Sequence, residues 1–101
     1  MVKSVLPNID MIKAICIDNN VKELYLFGSA LTNKFSDKSD IDFLVDFNSM
    51  TPLEYTDKYF KLKFSLEEIL NREIDLLEKK TLKNPFLSLE IDKHKQLIYA
   101  A

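Results

Sequence analysis

Gly28 is the only glycine in a chain of 101 residues, and it stands where the apolar run Leu24-Tyr25-Leu26-Phe27 stops. Ser29 follows it. Residues 30–39 intervene, and Asp40-Ile41-Asp42 then opens a second apolar run through Phe43, Leu44 and Val45 to Phe47. Glycine permits a tight turn or a close backbone approach to a ligand, and this chain has only one. The pattern predicts strands over 22–27 and 41–47, joined through a short helix or turn that starts at Ser29.

The other elements follow from caps and periodicity. Asn8 can cap a first helix with Ile9, Ile12, Ile15 and Cys16 on one side and Asp10 in its first turn. That helix should end near Asp18-Asn19-Asn20, because Asn tolerates the left-handed conformation. Thr51-Pro52-Leu53-Glu54 starts a longer helix: Thr as cap, Pro at the first helical position, Glu three residues after the cap. Tyr55, Tyr59, Leu62, Leu66, Ile69 and Leu70 form its apolar stripe, with Phe60 and Phe64 beside it, and these aromatic residues read as core. Arg72 to Glu78 alternates as a third strand. Asn84-Pro85 starts a last helix to about Lys93, and Gln96 to Tyr99 can add an edge strand.

The order α-β-(short α)-β-α-β-α-β describes an α/β (α+β) protein. Its small mixed sheet has three to four strands, with helices packed mainly on one face. The length suits a single domain over 1–101, and no repeat or linker interrupts it.

Composition narrows the function classes. The net charge of −2 gives no global attraction to nucleic acid, so direct nucleic-acid binding is not expected. The clusters Lys58, Lys61, Lys63 and Lys79, Lys80, Lys83 read as solvated faces. Cys16 is the single cysteine. It can form no internal disulfide, sits at core spacing, and suits a reducing cytoplasm. No basic start leads into a long apolar stretch, and no apolar run approaches the ~20 residues of a membrane span. A soluble cytoplasmic protein is expected.

The carboxylates carry the chemistry. Side chains alternate along a strand, so Asp40 and Asp42 share one face, about 7 Å apart, while Ile41, Phe43, Val45 and Phe47 take the other. Two such carboxylates repel each other, and a divalent cation removes the repulsion. Mg²⁺ suits them, because it takes hard oxygen ligands and completes its shell with water and phosphate. In Glu73-Ile74-Asp75-Leu76-Leu77, Asp75 lies opposite Ile74 and Leu76. If that strand pairs with Asp40-Ile41-Asp42, Asp75 reaches the same metals. Three carboxylates can hold two ions ~3.5–4 Å apart for an in-line displacement, and Asp75 can help to take a proton from an incoming hydroxyl. Ser29 would open a short helix whose free N–H groups attract phosphate.

Leu26-Phe27-Gly28-Ser29, the ten-residue spacer and Ser39-Asp40-Ile41-Asp42-Phe43-Leu44-Val45 together resemble the signature of the DNA polymerase β-like nucleotidyltransferases. Because the likeness runs from the first helix to the last strand, the chain resembles the minimal nucleotidyltransferases, the MNT or MntA-like family. The resemblance implies AMP transfer from ATP with two Mg²⁺ ions. Asp40, Asp42 and Asp75 would serve as metal-binding and catalytic residues. Gly28 and Ser29 would hold the triphosphate, with Ser39 in the motif and Lys34 as a nearby positive charge. It also implies a HEPN-domain toxin as partner, an antitoxin role, and a tyrosine hydroxyl as acceptor.

After Ser29 the chain reads Ala30-Leu31-Thr32-Asn33, where relatives often carry basic residues and a second glycine. Lys34 can replace the charge of an arginine but not its fork. This motivates an alternative in which the fold is kept as a weak or inactive nucleotidyltransferase that neutralises its partner by docking. His94, the single histidine, sits late in the last helix, where its positive form suits the helix end.

Overall fold

The computed structural model describes residues 5–28 and 40–101. Ser29, Lys34 and Ser39, the segment Ala30-Leu31-Thr32-Asn33 and the short helix or turn expected from Ser29 lie outside the described residues.

Helix α1 (Ile9–Asp18) follows a single 3-10 turn at Leu6–Asn8. Strands β1 (Val21–Phe27) and β2 (Ile41–Phe47) come next, then helix α2 (Pro52–Leu70) and strand β3 (Ile74–Glu78). A second 3-10 turn (Lys79–Thr81), helix α3 (Pro85–His94) and strand β4 (Gln96–Ala100) complete the order. The four strands make one sheet in the order β3-β2-β1-β4. β1 is antiparallel to β2 and to β4, whereas β2 and β3 run parallel with α2 as their crossover. Parallel neighbours need such a crossover, and α2 supplies it.

The local signals act as the sequence implies. Thr51 accepts the Glu54 N–H at 3.3 Å and its hydroxyl donates to the Glu54 carboxylate at 3.1 Å. Asn84 accepts the N–H groups of Phe86 and Leu87 at 3.0 and 3.3 Å, with Pro85 following at the first helical position. Asn20 and Asn71 adopt positive φ, 60° and 52°, where α1 and α2 give way to the strands that follow. Asn8 differs: it occupies the cap position with ψ 12° and makes no side-chain capping bond, because the chain already turns helically through Leu6–Asn8.

Alternation divides the sheet. Leu24 and Leu26, Ile41, Phe43, Val45 and Phe47, Ile74 and Leu76, and Ile98 all join the main core with α1 and α2. Ile12 and Cys16 come from α1, and Leu62, Leu66 and Leu70 from α2. Each fully buried leucine there contributes about 1.5–3 kcal/mol. The opposite face carries a smaller cluster of Phe27, Leu44 and Ile91 of α3, with Tyr25, Leu77 and Leu82 packed against it. Near the C-terminus, Ile98 and Tyr99 close the main core, whereas Phe86 and Leu87 are exposed.

Phe60 and Phe64 correct the sequence reading. They are 46% and 58% exposed, not core. Each helical position turns by about 100°, so the residue after Tyr59 already leaves the buried stripe. The two rings stack on each other instead, with centroids 5.9 Å apart.

α2 also closes one edge of the sheet. On the outer side of β3, the Ile74 N–H donates to Glu67 Oε2 at 3.3 Å, and the Leu76 carbonyl accepts from the Tyr59 hydroxyl at 2.6 Å. Side chains thus satisfy backbone groups that an edge strand would otherwise present unpaired.

Candidate active site

The register brings the separate motifs together. Phe27 pairs with Asp42 across β1–β2, and Asp42 pairs with Asp75 across β2–β3. Gly28, one residue past Phe27, therefore lies beside Asp42. Its φ is +76°, in the region that favours glycine. A Cβ placed there would collide with the Asp42 carboxylate. The lone glycine thus makes a turn and vacates the space that Asp42 occupies.

Asp42 and Asp75 project from the sheet face opposite the main core, the face on which α3 packs. Asp42 is half-buried; Asp75 and Asp40 are exposed. The Asp42 pKa is pushed up to about 6, first by burial, then by the charge of Asp75 and a hydrogen bond to it, and lastly by the charge of Asp40. A carboxylate raised in this way keeps its proton to higher pH than an ordinary one when no cation is present. No group of three or more His, Cys, Asp or Glu among the described residues stands gathered as metal ligands. The donor chemistry nevertheless fits a hard cation: two carboxyl groups are hydrogen-bonded face to face, and Asp40 sits two positions before Asp42 on the same side.

Of the residues singled out from sequence, Asp40, Asp42, Asp75 and Gly28 are brought to one end of the sheet. Two further side chains, one at the outer edge of β3 and one on the carboxylate face, had no functional signal in the sequence. Tyr59, read as core, anchors the backbone next to Asp75, and its hydroxyl is held above its usual pKa by burial and by the Asp75 charge. Asp46, four residues along β2 from Asp42, is only 6% exposed. Its Oδ1 has no hydrogen-bond partner among the described residues and lies 3.7 Å from Lys80 Nζ. Only the pairing of three strands distinguishes these positions from ordinary stripe residues. No helix among the described residues is long and apolar enough to cross a membrane.

The family model of the nucleotidyltransferase domain matches residues 9–98, from the start of α1 to β4. The chain is 40% identical over 79 residues to a candidate protein adenylyltransferase, MJ0128, of Methanocaldococcus jannaschii, covering 78% of this chain and 76% of that one. It is 36% identical over 64 residues to the protein adenylyltransferase MntA of Thermococcus cleftensis, covering 63% and 62% of the two chains. Among solved structures, a minimal nucleotidyltransferase shares the fold with a TM-score of 0.78, at 22% identity and 95% coverage of both chains. A toxin–antitoxin complex crystallised with AMP-PNP contains a chain with TM-score 0.70 at 21% identity, covering 93% of this chain and 74% of that one. With nearly its whole length matched by the family model and a relative at 40% identity over 78% of its residues, this chain belongs to the nucleotidyltransferase domain family.

Proposed function

We propose that this chain transfers AMP from ATP to a tyrosine hydroxyl of a HEPN-domain partner and so acts as the antitoxin of a toxin–antitoxin pair. The observation that carries the reading is the Asp42–Asp75 carboxyl pair with the Gly28 backbone packed against Asp42. The adenylyltransferase names of its relatives support the reaction class, and complexes of MntA with HEPN toxin among its structural neighbours support the partner class.

Asp40, Asp42 and Asp75 would hold Mg²⁺, which when bound supplies positive charge to the triphosphate. Gly28, having no side chain, lets its backbone lie directly against the Asp42 carboxylate, where a bound phosphate would meet both. Ser29, Ser39 and Lys34 would add a hydroxyl, a second hydroxyl and a positive charge. The acceptor oxygen forms its bond to the α-phosphorus as the bond to the β-phosphate oxygen breaks, and pyrophosphate leaves. Asp75, exposed at the rim, accepts the hydroxyl proton.

The test is incubation of the purified HEPN-domain partner with this protein and MgATP, read by intact mass. Gain of an AMP-sized mass on the partner supports the reading. It fails if no nucleotide is added and an Asp40→Ala/Asp42→Ala double variant still neutralises the partner. That outcome supports the docking alternative, which the exposed Phe86, Leu89 and Leu97 favour. Calorimetry separates the two from the ligand side: saturable MgATP binding that Asp42→Asn abolishes counts against docking alone.

A further inference from the structure

Among the described residues, β3 lies at the edge of the sheet and has β2 as its only strand neighbour. It is short, Ile74–Glu78, and its pairing is parallel, the slightly less stable kind. Yet it carries Asp75, whose carboxyl group works only within reach of Asp42. A productive site is held to roughly 0.5 Å, and a misplacement of about 1 Å can cost on the order of a hundredfold in rate. A short edge strand does not supply that precision through one ladder alone.

The backbone around Asp75 is held from both sides. The Glu73 carbonyl accepts the Ile41 N–H at 3.4 Å, so Glu73 turns towards β2. Backbone groups alternate sides along a strand, and Asp75 therefore turns towards β2 as well, whereas Ile74 and Leu76 turn outward. Both outward residues are caught by α2. Glu67 Oε2 accepts the Ile74 N–H at 3.3 Å, and the Tyr59 hydroxyl donates to the Leu76 carbonyl at 2.6 Å. The residue before Asp75 and the residue after it are thus tied to the same helix.

The Tyr59 tie is itself held in place. Its ring stacks on Tyr55 with centroids 6.1 Å apart, and the Phe60 ring meets it edge to face at 5.2 Å. The hydroxyl therefore stays where the Leu76 carbonyl needs it. Tyr59 and Glu67 bind the outer edge of β3, whereas Asp75 projects from the face opposite α2. Their effect on the site passes through the backbone.

We propose, building on the transfer reaction assigned to this site, that Tyr59 and Glu67 are positioning residues: by fixing β3 on each side of Asp75, they hold its carboxyl group against Asp42. Tyr59→Phe removes only the donor. Glu67→Met removes the acceptor, whereas Glu67→Gln keeps an acceptor oxygen. Steady-state transfer of AMP to the HEPN-domain partner is measured for each variant, and Mn²⁺ affinity of the nucleotide-free chain is read by electron paramagnetic resonance. Tyr59→Phe and Glu67→Met should each lower kcat about tenfold and weaken Mn²⁺ binding by about the same factor, with KM for ATP within about twofold of wild type. Glu67→Gln should restore both values. Ile98→Val trims the core in β4, away from β3, and should leave kcat and Mn²⁺ affinity unchanged although it lowers stability.

Wild-type kcat and Mn²⁺ affinity in Tyr59→Phe and Glu67→Met overturn the positioning role and leave the transfer reaction standing. An equal loss in Ile98→Val, or a loss in Glu67→Gln as large as in Glu67→Met, does the same. A wild-type chain that neither transfers AMP nor binds Mn²⁺ overturns the transfer reaction and this role with it. The Mn²⁺ comparison needs no acceptor, so it decides even if the partner is not modified.

Discussion

Asp42 and Asp75 face each other across a parallel strand pair, and a hydrogen bond joins their carboxyl groups. Neither residue is near the other in sequence; α2 lies between them. Their pairing sets both the chemistry of the site and its cost to the fold.

That cost has a definite pH dependence. The folded-state pKa of Asp42 is raised from 3.8 to about 6. The stabilising contribution of its proton is therefore fully present below the lower value and lost as pH rises through the upper one. The whole shift corresponds to about 3 kcal/mol, but Asp42 is only partly buried, and solvent screening reduces this to about 1 kcal/mol. Asp42→Asn is expected to raise Tm near pH 7.5 in EDTA while abolishing nucleotidyl transfer, and the gain should vanish near about pH 4. Thermal unfolding across that range measures it; a lower Tm at pH 7.5 contradicts the account.

Asp75→Asn removes the charge but leaves the burial. Because burial is the larger cause, the Asp42 pKa should fall only part of the way to its ordinary value. Carboxyl ¹³C chemical shifts followed against pH read this directly. A return all the way to the ordinary value would show that Asp75, not burial, dominates.

Gly28→Ala combines a disfavoured positive φ with a collision at the Asp42 carboxylate. A loss of about 2 kcal/mol or more is expected in urea unfolding, with the m-value unchanged, together with a fall in transfer rate exceeding about tenfold. Unchanged stability would mean that the turn can relax without moving Asp42.

Tyr59→Phe deletes the donor to the Leu76 carbonyl. The expected loss is about 1 kcal/mol, with faster amide exchange concentrated in β3. Exchange that rises uniformly over the sheet would argue against a local role at this edge.

Cys16 is buried, and burial pushes its thiol pKa up to about 12. A thiolate-selective reagent at about pH 8 should therefore leave the folded chain unmodified and react only as it unfolds. Rapid labelling under native conditions would contradict the packing of α1.

Much of the fold was legible because local chemistry and tertiary packing agree. Thr51-Pro52-Glu54 and Asn84-Pro85 mark two helix starts that the structure keeps. The alternation of Ile41, Phe43, Val45 and Phe47 correctly assigned one face of β2 to the core. Asp42 and Asp75 were legible as a pair only once their strands were assumed to be neighbours, since nothing in either segment states its partner. Phe60 and Phe64 misled because hydrophobicity alone does not say on which side of the 100° turn a residue falls. Glu67 and Glu78 gave no warning at all. One reads as a surface helix charge and the other as the polar end of a strand, yet one bonds a strand N–H and the other lies buried.

The attachment of Glu67 and Tyr59 to β3 has a consequence for how the sheet meets other chains. One flank already has its Ile74 N–H and Leu76 carbonyl engaged by side chains, so a foreign strand finds an interrupted ladder there. The opposite flank, Gln96–Ala100, has no strand beyond it among the described residues. Extension of the sheet, whether by a binding partner or by aggregation, is therefore directional: it begins at β4.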